Sequence, residues 1–92
     1  MHRQFPDADE KSLLRRYVAV FERLGMSLRT GVASERLADR LYGSRLAVLL
    51  NNTDGRIKET VKERGGRDWE NFICLWKRMR TFAPSRNLPD ID

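Results

Sequence analysis

Residues 67–83 read Arg67-Asp-Trp-Glu-Asn-Phe-Ile-Cys-Leu-Trp-Lys-Arg-Met-Arg-Thr-Phe-Ala83. Trp69, Phe72, Ile73, Trp76 and Met79 recur at helical spacing and form one apolar stripe, with Glu70, Asn71, Lys77, Arg78 and Thr81 on the other side. Both tryptophans of the chain lie on that stripe. Large aromatic side chains bury more area than any others, so this stretch is expected to be the helix on which the rest packs.

Working back from it, Gly65-Gly66 permits a tight reversal, and a short helix is expected before it, running to Arg64 with Ile57 and Val61 as its core anchors. Thr53 or Asp54 would cap that helix, which the reversal would lay antiparallel beside the tryptophan helix. With two anchors it should be the least stable of the set. Asp68 would cap the tryptophan helix, and Lys77, Arg78 and Arg80 would sit at its negative end. Pro84 stops it, leaving 84–92 as a tail.

At the other end, residues 1–6 form an arm, and Asp7 and Glu10 have the form of a capping box. Leu13, Leu14, Tyr17, Val18, Phe21 and Leu24 then give the inward face of a helix over 8–24, closed by Gly25. Residues 25–33 read as a connector that tucks Met26, Leu28 and Val32 under the bundle. Ser34 caps a second helix with Leu37, Ala38 and Leu41 inward, followed by the apolar run Leu46 to Leu50. One internal glycine costs only about 1 kcal/mol. Gly43 therefore leaves open whether 34–51 is one bent helix or two. Nothing alternates with a period of two. The fold expected is all-α, a compact bundle of four or five short helices in a single domain over 1–92.

Chemistry is constrained by what the chain lacks. One histidine (His2) and one cysteine (Cys74) cannot assemble a His/Cys metal site or a His-assisted nucleophile. The glycines spell neither a phosphate loop nor a dinucleotide fingerprint. Carboxylates are scattered beside basic residues, with no acid/base pair. A non-enzyme without cofactor or metal is expected. Cys74 reads as a small hydrophobe at the edge of the stripe. No run approaches a membrane span or a secretory h-region, and a lone cysteine suits a reducing compartment, so a cytoplasmic protein is expected. A membrane-surface role for the 67–83 helix is disfavoured, since withdrawing it would leave the domain little core.

Charge is the remaining signal. The formal net charge is +5, and arginine supplies 14 of the 18 basic residues. Arginine makes bidentate contacts with phosphate and carboxylate, although a GC-rich coding sequence enriches it too. Lys77, Arg78, Arg80 and Arg86 form a cluster without an intervening acid. These four are the leading candidates for phosphate contacts, with Arg15, Arg16, Arg40 and Arg45 next; on the first two helices, acids interleave with the arginines. Residues 34–52 have a faint helix-turn-helix look, weakened by a short turn and an over-apolar second helix. The function expected is binding of nucleic acid or a nucleoprotein complex through arginine-rich helix faces. The alternative is a protein-binding adaptor or inhibitor, such as an accessory protein of a phage or mobile element. It would act on an acidic or apolar partner surface, and a homo-oligomer is a further way for so small a bundle to complete its core.

Overall fold

The computed structural model of the chain describes residues 7–52 and 56–91, with the side chains of 7–11, Asn52 and Arg64 excepted. The N-terminal arm and the caps at Thr53 or Asp54 lie outside the described residues, and the capping box at Asp7 and Glu10 rests on side chains outside those described. The elements are α1 (Asp7–Arg29), α2 (Glu35–Asn52), α3 (Arg56–Lys62), a 3-10 stretch (Glu63–Trp69), α4 (Glu70–Phe82) and a 3-10 turn (Pro84–Arg86). The fold is all-α.

The tryptophan helix is the centre. Phe72, Leu75, Trp76 and Met79 are buried, while Trp69 and Ile73 pack on the margin of the core. Leu75, which the stripe omitted, belongs to it. The rings of Phe21, Phe72 and Trp76 run in series, with centroids 6.0 Å apart for the first pair and 5.9 Å for the second. The indole N–H of Trp76 donates to the carbonyl of Pro89 at 2.8 Å, which satisfies the one polar atom of a fully buried side chain.

Helix α1 packs along α4 and runs past Gly25 to Arg29, so that glycine does not end it. Gly25 is instead the point of closest approach: a β-carbon there would stand 2.0 Å from the backbone oxygen of Asn71. The glycine that ends α1 is Gly31, whose φ of +80° is the left-handed conformation expected just past a helix end. Of the expected inward residues, Val18, Phe21 and Leu28 are buried; Leu13, Tyr17, Met26 and Val32 are exposed. One helix can turn only one stripe toward α4, and Val18, Phe21, Gly25 and Leu28 occupy it.

Helix α2 is continuous through Gly43, so no turn divides 34–52 and the helix-turn-helix reading falls. Ser34 caps it as expected, its hydroxyl accepting the Leu37 N–H at 3.2 Å. Ala38, Leu46 and Leu50 face α4, whereas Leu37, Leu41 and Val48 point away from the core. Helices α1 and α2 barely approach one another, meeting chiefly where Tyr42 sets its edge against Phe21 at 6.4 Å.

Both expected anchors of α3, Ile57 and Val61, are buried, but α3 rests on α1 and the following 3-10 stretch instead of lying along α4. The reversal at Gly65 and Gly66 is present, with φ values of +72° and +81°. Residues beyond Pro84 are no loose tail. Leu88 and Ile91 are buried in the core, and Pro89 between them accepts the Trp76 indole N–H. No helix among the described residues is long and apolar enough to cross a membrane.

Candidate interaction surface

The basic cluster expected at the end of α4 is dispersed by the fold. Arg86 turns inward onto α2, its Nε donating to Asp39 Oδ1 at 2.6 Å and its Nη2 reaching Asp39 Oδ2 and the Asp39 carbonyl at 3.5 Å. Gly43 makes this possible, because a β-carbon there would intrude on both the carboxylate and the guanidinium. The hydrogen bond from Arg86 to Asp39, and secondarily the charge of Asp39, hold the Arg86 pKa above its ordinary value against the cost of desolvation. Arg80 donates through Nε to the carbonyl of Leu88 at 3.3 Å. Arg78 stands 3.9 Å from Glu35 in a half-exposed pair. Lys77 is exposed and borders a shallow pocket of about 430 Å³ with Lys62, Gly65, Gly66, Ile73 and Ile91. Three of the four leading candidates are thus engaged in holding the C-terminal segment and α2 to α4. Arg80 stays exposed and Arg78 half-exposed, so these contacts lie at the surface and engage the cluster without burying it.

The opposite happens on α1 and α2. Between Ser12 and Asn52 the chain has three acidic residues, Glu22, Glu35 and Asp39. Glu35 and Asp39 meet Arg78 and Arg86. Glu22 caps α4 from across the interface. Its Oε1 accepts the Phe72 N–H at 2.7 Å, and its Oε2 accepts the backbone N–H of Asn71 at 3.3 Å and the Asn71 side-chain N–H at 2.8 Å. Those backbone N–H groups belong to the first turn of α4, where a carboxylate also answers the positive helix end. No side chain caps α4 from the N-cap residue Trp69 itself. Each of these three acids thus has a partner on α4 or on the segment after it, Glu35 in a pair that stays half-exposed.

Arginines remain outside. Arg15 bonds Glu63 at 3.0 Å, and Arg29 donates to Asn71 Oδ1 at 2.7 Å. Arg16, Arg23, Arg36, Arg40 and Arg45 are exposed and make no ion pair among the described residues. Of the second-rank candidates, Arg16, Arg40 and Arg45 are thus exposed without an ion pair among the described residues, while Arg15 has a partner. Arg23 and Arg36, on the same two helices, are exposed as well, and position alone does not show that the acids beside them, Glu22, Glu35 and Asp39, find partners elsewhere.

Apolar residues are exposed on the same two helices. On α1, Leu13, Tyr17 (53% exposed), Val20 (54%) and the half-buried Leu24 follow one another at 4-3-4 spacing, a single strip along the helix. On α2, Leu37, Leu41 (55%) and Val48 (59%) form a second strip, with Arg45 between the last two. Between the helices lies a cleft of about 290 Å³ lined by Val20, Arg23, Leu24, Ser27 and Tyr42. Tyr17, Val20, Leu37, Leu41 and Val48 lie outside the core although the sequence pattern of each helix is apolar there.

Among the described residues no group of three or more His, Cys, Asp or Glu is placed to hold a metal ion. Cys74 is a free, partly buried thiol in α4. Comparison with protein-family models, with curated proteins and with solved structures finds no match to this chain.

Proposed function

We propose that this chain is a non-enzymatic protein-binding module whose working surface is the cationic and apolar face of α1 and α2. The observation that carries the reading is the pair of half-exposed strips on these helices, Leu13–Tyr17–Val20 and Leu37–Leu41–Val48, with exposed arginines beside them and, among the described side chains of the two helices, each acid already partnered. Contiguous exposed apolar surface on a small domain marks a place where another macromolecule sits. Phosphates would use the arginines but gain nothing from the leucines and valines, whereas a protein partner uses both.

A second reading has one observation in its favour. Five exposed arginines without ion pairs among the described residues would also suit the phosphates of nucleic acid or of a nucleoprotein complex. The two separate by purification from native extract with and without nuclease, using the parent chain and the exposed-site variants Val20→Asp and Leu41→Asp. The protein-binding reading expects one stoichiometric protein that survives nuclease and is lost with either variant. Material that nuclease removes, retained by both apolar variants and released by added salt, overturns it in favour of nucleic acid.

A further inference from the structure

We propose that the cleft between α1 and α2 receives a single amphipathic helix of a partner protein, carrying Asp or Glu along the edges of its apolar stripe. The inference rests on the reading of this face as a protein-binding surface and goes on to specify the occupant.

Backbone chemistry decides that the occupant is helical. Both walls of the cleft are helices, whose mid-helix N–H and C=O groups are bonded within their own turns. An extended peptide laid between them would find no ladder to join and would bury unpaired amides. A helix brings its own hydrogen bonds and needs only apolar contact, the groove mode of recognition.

Dimensions agree. The α1 strip runs from Leu13 through Tyr17, Val20 and Leu24 to Ser27, alternating steps of four and three residues. Such a strip presents a straight seam to a second helix. At about 1.5 Å per residue the strip is roughly 21 Å long, and its Val20–Ser27 part, roughly 10 Å or two turns of partner helix, lines the cleft itself. Val20 and Leu24 form one wall of the cleft and Tyr42 stands on the other, with its ring edge already held against Phe21.

Charge selects among helices. Arg16 and Arg23 stand four residues before and three after Val20, bordering the strip on its solvent side, and Arg23 reaches the cleft itself. Arg45 interrupts the α2 strip between Leu41 and Val48. Among the described side chains of the two helices the three acids each have a partner on α4 or the segment after it, and the charged side chain that lines the cleft is Arg23. A second copy of this chain would bring arginines against arginines, and like charges at an interface cost several kcal/mol. An acidic-edged helix meets these arginines with opposite charge.

The test uses the full chain and a fluorescently labelled helical peptide of about three heptads, with Leu at the seam positions and Glu at the flanking ones. The expected result is saturable binding in the micromolar range, at least about tenfold weaker for the same peptide with Lys replacing Glu. Binding should be lost in Val20→Asp and should reverse its preference toward the Lys peptide in Arg16→Glu/Arg23→Glu, with circular dichroism unchanged in both variants. Equal binding of the two peptides, or none of the Glu peptide at about 1 mM, overturns the proposal. So does a dimer in sedimentation that Val20→Asp dissociates, which would make a second copy the occupant. If native extract yields a partner that Val20→Asp loses while the Glu peptide fails to bind, the surface binds protein and only the acidic helix is wrong.

Discussion

Asn71 sits where α1 and α4 cross, and three residues of α1 are fitted to it. Glu22, Gly25 and Arg29 recur at steps of three and four, so they lie on one strip of the helix. Glu22 takes the N–H groups, Gly25 leaves space for the backbone, and Arg29 donates to the side-chain oxygen of the buried amide. Helix propensity alone would predict that Gly25→Ala stabilises α1 by about 1 kcal/mol. The close approach predicts the opposite sign. The obstructing atom is a backbone oxygen and not the end of a flexible side chain, so α1 and α4 must separate, and overpacking of this kind costs about 1–3 kcal/mol. Urea denaturation of Gly25→Ala should show a net loss of about 2 kcal/mol; a gain would mean that the helices do not cross there. Removing the trans cap by Glu22→Ala should cost about 2 kcal/mol, and Glu22→Gln, which keeps one acceptor and loses the charge, about half as much. A value for Glu22→Ala within about 0.3 kcal/mol of the parent would show the cap to be idle. Sequence alone does not disclose these roles. A glycine after an amphipathic run looks the same whether it stops a helix or admits a neighbour, and Asn71 and Glu22 both read as outward polar residues.

Among the elements, α4 is legible because Trp69, Phe72, Ile73, Trp76 and Met79 repeat at a period that only a helix presents as one face. Ser34 and the paired glycines at 65 and 66 are legible for the same local reason: capping and left-handed backbone depend on a few adjacent residues. The segment after Pro84 carries no period, and its place is set by what it docks against. Leu88 and Ile91 are buried in the core, Ile91 near Ile73 and the Gly65–Gly66 reversal, Pro89 answers the indole of Trp76, and Arg86 ties the segment to α2. A free tail would tolerate substitution within about 0.5 kcal/mol. As a core element, it should lose about 3 kcal/mol on Ile91→Ala, within the range for truncating a buried aliphatic side chain. Tryptophan emission should move to the red and become more open to acrylamide in that variant, since the cover over Trp76 is loosened. Unchanged stability and quenching would return 84–91 to the status of a tail. The same logic explains α2. Its apolar residues occupy two opposite sides, so no sequence rule says which side meets α4. Leu37 and Leu41 read as inward, yet Leu46 and Leu50 join Ala38 in that place.

For the whole molecule, the consequential event is the sorting of charge. Every acid between Ser12 and Asn52 is spent on a contact with α4 or the segment after it, and those contacts in turn engage Arg78 and Arg86. The cations near the end of α4 are therefore partly engaged, and along the described side chains of α1 and α2 several arginines are left exposed without an ion pair. Sequence reasoning names the charged residues but cannot pair them, because Glu22 and Phe72, Glu35 and Arg78, and Asp39 and Arg86 are far apart along the chain and meet only after folding. Two triple variants with the same change in net charge test this sorting. Arg16→Gln/Arg40→Gln/Arg45→Gln removes exposed guanidiniums without ion pairs among the described residues, and Arg78→Gln/Arg80→Gln/Arg86→Gln removes engaged ones. On immobilised heparin the first triple should elute at clearly lower salt than the parent while its denaturation midpoint stays put, since counterion release follows the phosphates or sulfates a free cation can reach. The second should elute closer to the parent and unfold earlier, because it breaks the fastening of α2 and the C-terminal segment to α4. Net charge is matched, so an equal shift in elution for both would mean that the long-range field alone governs retention and that the α1–α2 face has no special standing. The reverse order would restore the end of α4 as the cationic surface and, with it, the reading that composition first offered.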